Sequence, residues 1–224
     1  MAPGQPSKLT QPNKYKASGA ERRAVRRETP TLKLIAATNP GLQKQWKKAG
    51  GDPYEWRGVD EEGESYARVE VGEKGVRELV LDDSSIQGVP WAIGKLRSLR
   101  NISLVRCYDL VDIGAVVGCS ALDELYLRFC YKISVLPDGL GSLRALTYID
   151  LEGCYNLSAL PDSIGNLNSL TFLDVSSCGK LTKLPDALFP SAARAARGTT
   201  AARRARSPTG RRATRRAAPA LIIG

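Results

Sequence analysis

Residues 146–169 read LTYIDLEGCYNLSALPDSIGNLNS, and the fold follows from how the rest of the chain repeats them. The preceding unit, residues 122–145, is LDELYLRFCYKISVLPDGLGSLRA, and the following one, residues 170–189, is LTFLDVSSCGKLTKLPDALF. All three follow L-x-x-L-x-L-x-x-C-x-x-L-x-x-L-P-x-x-[IL], with Ile133, Ile149 and Val175 each standing for a leucine. Cys107, Cys130, Cys154 and Cys178 are spaced by 23, 24 and 24 residues, and Leu99, Leu122, Leu146 and Leu170 keep the same intervals. Two residue types holding one period mark an internal repeat. Weaker units extend it toward the N-terminus. One starts at Leu99, with Ile102, Leu104, Cys107, Leu110 and Ile113 but no Leu-Pro step; another starts at Val76, with Leu79, Leu81, Ile86, Val89 and Pro90 and with Ser84 in the cysteine position. The count is five units, the last incomplete.

The L-x-L alternation is a strand with one buried face, and the later apolar positions fall on a turn-rich return path. One such unit cannot bury its own face, so neighbours stack and align their strands in a parallel sheet, about 4.8 Å apart, that curves because the return side is wider. The expected fold class is α/β: a solenoid with a curved parallel sheet, short helical or 3-10 turns on the convex side and a small helical N-terminal cap. Leu-Pro-Asp at 136–138, 160–162 and 184–186 suits the start of those turns, because proline presets φ and aspartate favours a helix's positive end. Gly94, Gly118, Gly141 and Gly165 recur after the next apolar position, and the expectation is that they end the turn in a conformation cheap only for glycine.

On these motifs, residues 76–190 resemble leucine-rich repeats of the kind found in plant disease-resistance proteins and in the related Ras-binding intracellular group. The resemblance implies a protein-binding scaffold without chemistry of its own, in signalling or defence. Resistance proteins usually carry a nucleotide-binding domain as well. The nearest phosphate-loop look-alikes here, Gly94-Lys95 and Gly179-Lys180, are followed by leucine and lack the paired glycine five residues earlier. Upstream, Trp56, Gly58 and Val59, then Val69, Val71 and Val76, resemble the N-terminal cap of plant and algal leucine-rich-repeat proteins. Leu32, Leu34, Ile35, Leu42 and Trp46 have the spacing of a small helical hairpin broken at Asn39-Pro40. A cap is needed because the first strand would otherwise leave backbone groups and apolar side chains facing water, so Trp46 and Trp56 are expected in the core.

The expected organisation is a disordered basic tail at 1–30, a capping region at 31–75, the repeats at 76–190 and a disordered Arg/Ala-rich tail at 191–224. Nine arginines and no acid in residues 191–224 carry +9 of the formal +10, so the remainder is close to neutral. The repeat stops in mid-unit: register places apolar residues near 191 and 194, where the chain has Ser191 and Arg194, and no polar cap is recognisable. No apolar run is long enough for a membrane span and none near Met1 suits a secretion signal, so the default is a cytoplasmic protein with reduced thiols.

Catalysis, metal binding and cofactors are not expected. The absence of histidine removes the commonest general base and metal ligand. One cysteine per repeat makes a row, not a tetrahedron, so the ladder reads as buried thiols facing turn backbone, with Cys119 off the ladder. Asp82 with Asp83, and Asp150 with Asp174, read as a solvated face, because an open sheet offers no water-excluding pocket to raise a pKa.

The side chains free to vary are those between the buried strand leucines. Their columns run Glu78, Asn101, Glu124, Tyr148, Phe172; then Val80, Ser103, Tyr126, Asp150, Asp174; then Asp82, Val105, Arg128, Glu152, Ser176; then Asp83, Arg106, Phe129, Gly153, Ser177. The candidate protein-binding set is therefore Tyr126, Arg128, Phe129, Tyr148, Asp150, Glu152, Phe172 and Asp174. Aromatic residues and arginine suit the energetic centre of an interface, although aromatics on neighbouring strands also stack on each other as ordinary cross-strand pairs. The partner is another protein. Nucleic acid or an acidic surface is the alternative, reached only through the C-terminal run, which has charge for phosphates but no aromatic residue for base stacking. A fragment of a larger immune-type sensor is a third reading.

Overall fold

The computed structural model describes residues 18–38, 40–48, 50, 57–59, 65–188 and 220–222. Its spine is one sheet with strands in chain order: β1 (Arg57–Val59), β2 (Ser65–Gly72), β3 (Gly75–Leu81), β4 (Asn101–Ser103), β5 (Glu124–Tyr126), β6 (Tyr148–Asp150), β7 (Phe172–Asp174) and β8 (Ala220–Ile222). The first three strands pair antiparallel; from β3 to β8 all pairing is parallel. Register steps by one repeat at each rung, so Leu79, Ile102, Leu125, Ile149 and Leu173 form one column, each wholly buried. Three-residue strands suffice because each needs only one inward side chain between two outward ones.

The return path is built from 3-10 turns at Trp91–Lys95, Gly114–Gly118, Asp138–Ser142, Asp162–Asn166 and Asp186–Leu188. Three of them begin at the aspartate of Leu-Pro-Asp, as the motif predicts, with Pro137 and Pro161 in extended caps at φ −67°. The recurrent glycines do a different job from the one expected. Positive φ among the described glycines occurs at Gly50, Gly75 and Gly153, not at Gly94, Gly118, Gly141 or Gly165. They are present because adjacent turns pack backbone to backbone. A Cβ on Gly118 would lie 2.8 Å from the Gly94 Cα, one on Gly141 would run into the Ser163 carbonyl, and one on Gly165 into Ala187.

The cysteine ladder serves the same stacking. Each thiol donates to a carbonyl of the preceding rung: Cys107 to Leu81 at 3.1 Å, Cys130 to Leu104 at 3.0 Å, Cys154 to Leu127 at 3.1 Å and Cys178 to Leu151 at 3.2 Å. Ser84, in the cysteine position of the first rung, turns its hydroxyl to the Leu81 carbonyl of its own rung at 2.7 Å. Cys119 is also wholly buried and points at the Ile93 carbonyl. All five cysteines are free, and burial pushes Cys107 up to about 11 and Cys154 up to about 12, so they remain neutral thiols.

The N-terminal cap begins earlier than the pattern suggested. Helix α1 (Gly19–Ala36) occupies much of the segment expected to be a tail at 1–30, of which residues 1–17 lie outside the described residues. The missed signal is local: Ser18 and Glu21 form a reciprocal capping box, and Ala24, Val25, Thr31, Leu32, Ile35 and Ala36 share a buried face. Pro30 sits inside the helix, and the Thr29 hydroxyl donates to the Val25 carbonyl beside it at 2.8 Å. Helix α2 (Pro40–Lys48) completes the hairpin with Leu42 and Trp46 buried. Of the residues whose spacing marked the hairpin, Leu34 points outward at 47 % exposure. Trp56 lies outside the described residues.

The far end also differs from expectation. Residues 220–222, inside the segment expected to be a disordered tail, pair with β7 in the register that β7 keeps with β6. The physical reason is the unsatisfied edge that the incomplete last unit leaves, which the apolar Leu221 and Ile222 are suited to pair. Residues 189–219 lie outside the described residues, and with them the rest of that expectation.

Candidate functional site

Because strands β3 to β7 alternate, the residues on either side of each buried leucine face outward on the concave side. Tyr126 on β5, Tyr148 on β6 and Phe172 on β7 meet there as a continuous stack. The Tyr126 and Tyr148 rings are 5.0 Å apart, and Tyr148 and Phe172 are 4.3 Å apart and parallel within 1°. All three are half-buried. The rings therefore stack as cross-strand pairs, while their outer surface stays accessible.

The stack is edged with carboxylates. Tyr126 donates its hydroxyl to Glu124 at 2.8 Å, and Asn101 donates its amide to the same carboxylate at 2.8 Å. Burial, reinforced by that hydrogen bond, pushes the Tyr126 phenol up, so it stays protonated and donates. Arg128 lies over the acids: it pairs with Glu152, and its Nε is 3.6 Å from Asp150. Asp150, Glu152 and Asp174 each offer an oxygen within 4.8 Å of the other two, a spacing compatible with a cation, but the Arg128 guanidinium already supplies positive charge there.

Two expectations about these acids need correction. Asp150 and Asp174 are buried, at 4 % and 9 % exposure, and are not a solvated face. Both fold back onto their own chain: Asp150 accepts from the Glu152 N–H at 3.1 Å, and Asp174 accepts from the N–H and the hydroxyl of Ser176 at 2.8 and 2.6 Å. These are turn-forming bonds two residues along, of the kind aspartate favours. Burial raises Asp150 to about 6 in spite of that bond and of Arg128. Asp82 behaves likewise. It accepts from the Ser103 hydroxyl at 2.6 Å and the Val105 N–H at 2.8 Å on the next rung, and burial carries it to about 6. The strand ends thus exclude water enough to raise these two carboxyl groups.

Phe129 stands apart from the stack. With Asp83, Arg106, Gly153 and Ser177 it forms a column in which every residue has positive φ, between 54° and 72°, so this position turns the chain out of the strand. Phe129 adopts a conformation uncommon for bulky residues. Its ring lies 5.6 Å from the Arg128 guanidinium and edge-on to Tyr131 at 6.5 Å. Tyr131 belongs to a second row missed in the sequence reading, Tyr108–Tyr131–Tyr155, with centroids 4.9 and 5.1 Å apart. Its signal was present: a tyrosine follows the ladder cysteine in three successive units.

The Leucine Rich Repeat family profile matches residues 145–167. The described rungs have the fold of a leucine-rich-repeat solenoid. The profile match lies on the unit from which the periodicity was read, and the parallel rungs with 3-10 returns extend it along the sheet. No curated protein matches the sequence. Among solved structures, the leucine-rich repeat domain of the type III effector XopL aligns at 28% identity over 58% of this chain and 42% of that one, with a TM-score of 0.47. A leucine-rich-repeat protein of Leptospira interrogans aligns at 25% identity over 51% and 32%, with a TM-score of 0.42. The leucine-rich-repeat ectodomain of the receptor kinase SOBIR1 from Arabidopsis thaliana aligns at 16% over 75% and 91%, with a TM-score of 0.37. The chain thus spans less than half the length of the first two. No described helix is long and apolar enough to cross a membrane.

Proposed function

We propose that this leucine-rich-repeat solenoid is a recognition module that binds another protein on the concave face of rungs β5 to β7 and performs no chemistry itself. Leucine-rich-repeat domains generally act as protein-interaction scaffolds. The observation that carries the location is the half-buried stack Tyr126–Tyr148–Phe172, flanked by Arg128, Glu152 and the acids beneath it. Rigid rings bring large contact area with few rotors, and the arginine and carboxylates around them supply directional polar contacts. Phe129 contributes from the turn at the strand ends, beside Arg128. Signalling or defence is the setting we propose, supported by the resemblance of the units to those of resistance proteins.

The test uses the whole chain as bait. Replacing Tyr126 and Tyr148 together with alanine is expected to remove capture of the partner while the circular dichroism spectrum stays unchanged, because both side chains face outward from rungs whose inward leucines are untouched. Undiminished capture by that variant would place the binding surface elsewhere.

A further inference from the structure

We propose that the outer edge of β7 is a strand-acceptor site for a short extended apolar segment, and that residues 220–222 of this chain are its resting ligand. Three features converge on it. First, each rung is bonded on both sides: at the start of a strand an N–H donates back to the preceding rung, as Thr171 does to the Thr147 carbonyl at 2.8 Å, and after the strand one donates forward. The N–H that follows each strand donates to the next rung: Leu104 to the Tyr126 carbonyl at 2.9 Å, Leu127 to Asp150 at 2.8 Å and Leu151 to Asp174 at 2.9 Å. Each rung therefore depends on the one after it, and the register step assigns the Val175 N–H to the carbonyl of Ile222. Without a following strand this buried-side donor faces water or nothing.

Second, burial thins at the last described rung. Leu173 is wholly buried, yet beyond it Cys178 and Leu188 are 7 % exposed, and Leu181 and Leu184 are only partly buried. Leu221 falls at the register position that continues Leu79, Ile102, Leu125, Ile149 and Leu173. The ligand class follows: an extended segment, parallel to β7, with an apolar residue at the middle position and backbone groups free to pair.

Third, the occupant is not the next unit of the repeat. Successive rungs recur every 23 or 24 residues, whereas β8 starts 48 positions after its register partner on β7, Phe172↔Ala220. Three residues held by one ladder and tethered by a long intervening segment form a reversible pairing, favoured over free peptide by effective concentration rather than by contact area.

The experiment compares the full chain with the full-length Leu221→Asp variant, which puts a charge at the core register position. Hydrogen exchange is expected to show protection at Val175 in the unaltered chain and its loss in the variant, with Leu127 and Leu151 unchanged. A labelled peptide of residues 219–224, PALIIG, is expected to bind the variant and to bind the unaltered chain at least about tenfold more weakly, because the tethered strand competes. Equal exchange at Val175 in the two proteins, or no peptide binding to the variant, would overturn the proposal. Loss of protection at Leu127 and Leu151 would mean that the variant has unfolded. In that event a second variant decides: Phe172→Cys with Ala220→Cys joins register partners and is expected to form an intramolecular disulfide under mild oxidation, the native thiols being buried and neutral. Absence of that bond would equally overturn the site.

Discussion

The two ends of the rod solve the same problem with unequal means. At the N-terminus, two helices and two antiparallel strands close the first parallel rung. The Glu28 carboxylate of α1 accepts from the Val76 N–H of β3, and Leu32, Ile35 and Trp46 are buried. At the other end, among the described residues, a single three-residue strand pairs with β7. Burial records the difference on the return path: Ile86, Val89 and Ile93 of the first rung are 2 %, 7 % and 0 % exposed, whereas at the corresponding places on the last rung Leu181 and Leu184 are only partly buried and Leu188 is 7 % exposed. In a solenoid a rung is only as buried as its neighbours make it, so stability is expected to run unevenly along the rod.

The largest effect that would sharpen this contrast comes from paired cavities. Leu79→Ala, at the junction with the helical cap, is expected to lower unfolding stability by about 3–4 kcal/mol, within the range for fully enclosed leucines. Leu173→Ala at the far end is expected to cost about 1 kcal/mol less, because a layer with one light neighbour relaxes into the space more easily. Urea titrations of the two variants read the difference directly. Equal losses would mean that β8 closes its end as firmly as the helices close theirs.

Much of this was legible in advance, and what was not has identifiable causes. The rung spacing, the inward leucines, the thiol row and the turns opening at Leu-Pro-Asp follow from period and propensity, which are local properties that the sequence repeats several times. The glycines were misread because their reason is not local. Gly118 is required by Gly94 on the preceding rung, and only three-dimensional stacking brings the two together. Burial of Asp150 and Asp174 was missed for a similar reason: their turn bonds to residues 152 and 176 fold the carboxylates inward, while alternation alone points them out. The stack of Tyr126, Tyr148 and Phe172 was legible as a column, but Phe129 was counted with it because one further step of alternation ignores the left-handed turn at that position. Residues 220–222 had only three letters of pattern, far from the repeat, and no periodicity reaches across the gap.

Gly141→Ala places a methyl group against the Ser163 carbonyl of the neighbouring turn, so the turns must part. The expected loss is about 2 kcal/mol, typical of overpacking against backbone. Gly179→Ala on the last rung meets nothing within 4 Å and is expected to leave the thermal midpoint unchanged or slightly raised. If both substitutions proved neutral, the convex turns would be loosely stacked throughout, and the distinction between interior and end would lose its basis.

The smallest effect is electrostatic and separates the two ends by pH. Asp82 follows β3 and Asp150 closes β6, and burial raises both from 3.8 to about 6. A carboxyl group with a folded-state pKa above its unfolded value stabilises the fold when protonated. That contribution is complete below about 4 and is lost as pH rises through about 6. Lowering the pH from 7 to 5 is therefore expected to raise unfolding stability by about 1 kcal/mol for each group, a figure kept small because bonds from Ser103, Val105 and Glu152 favour the charged forms. Asp150→Asn should remove one share of the pH dependence. Asp82→Asn should remove another and leave the charge balance around Arg128 untouched, while Glu28 and Glu70, which burial also raises, keep theirs. The sizes of the two shares would identify which acid the fold buries at greater cost. Since Asp150 has Arg128 beside it, whereas Asp82 accepts from neutral donors on the next rung and has Asp83 opposing the pull of Arg106, the larger share is expected from Asp82, at the better closed end.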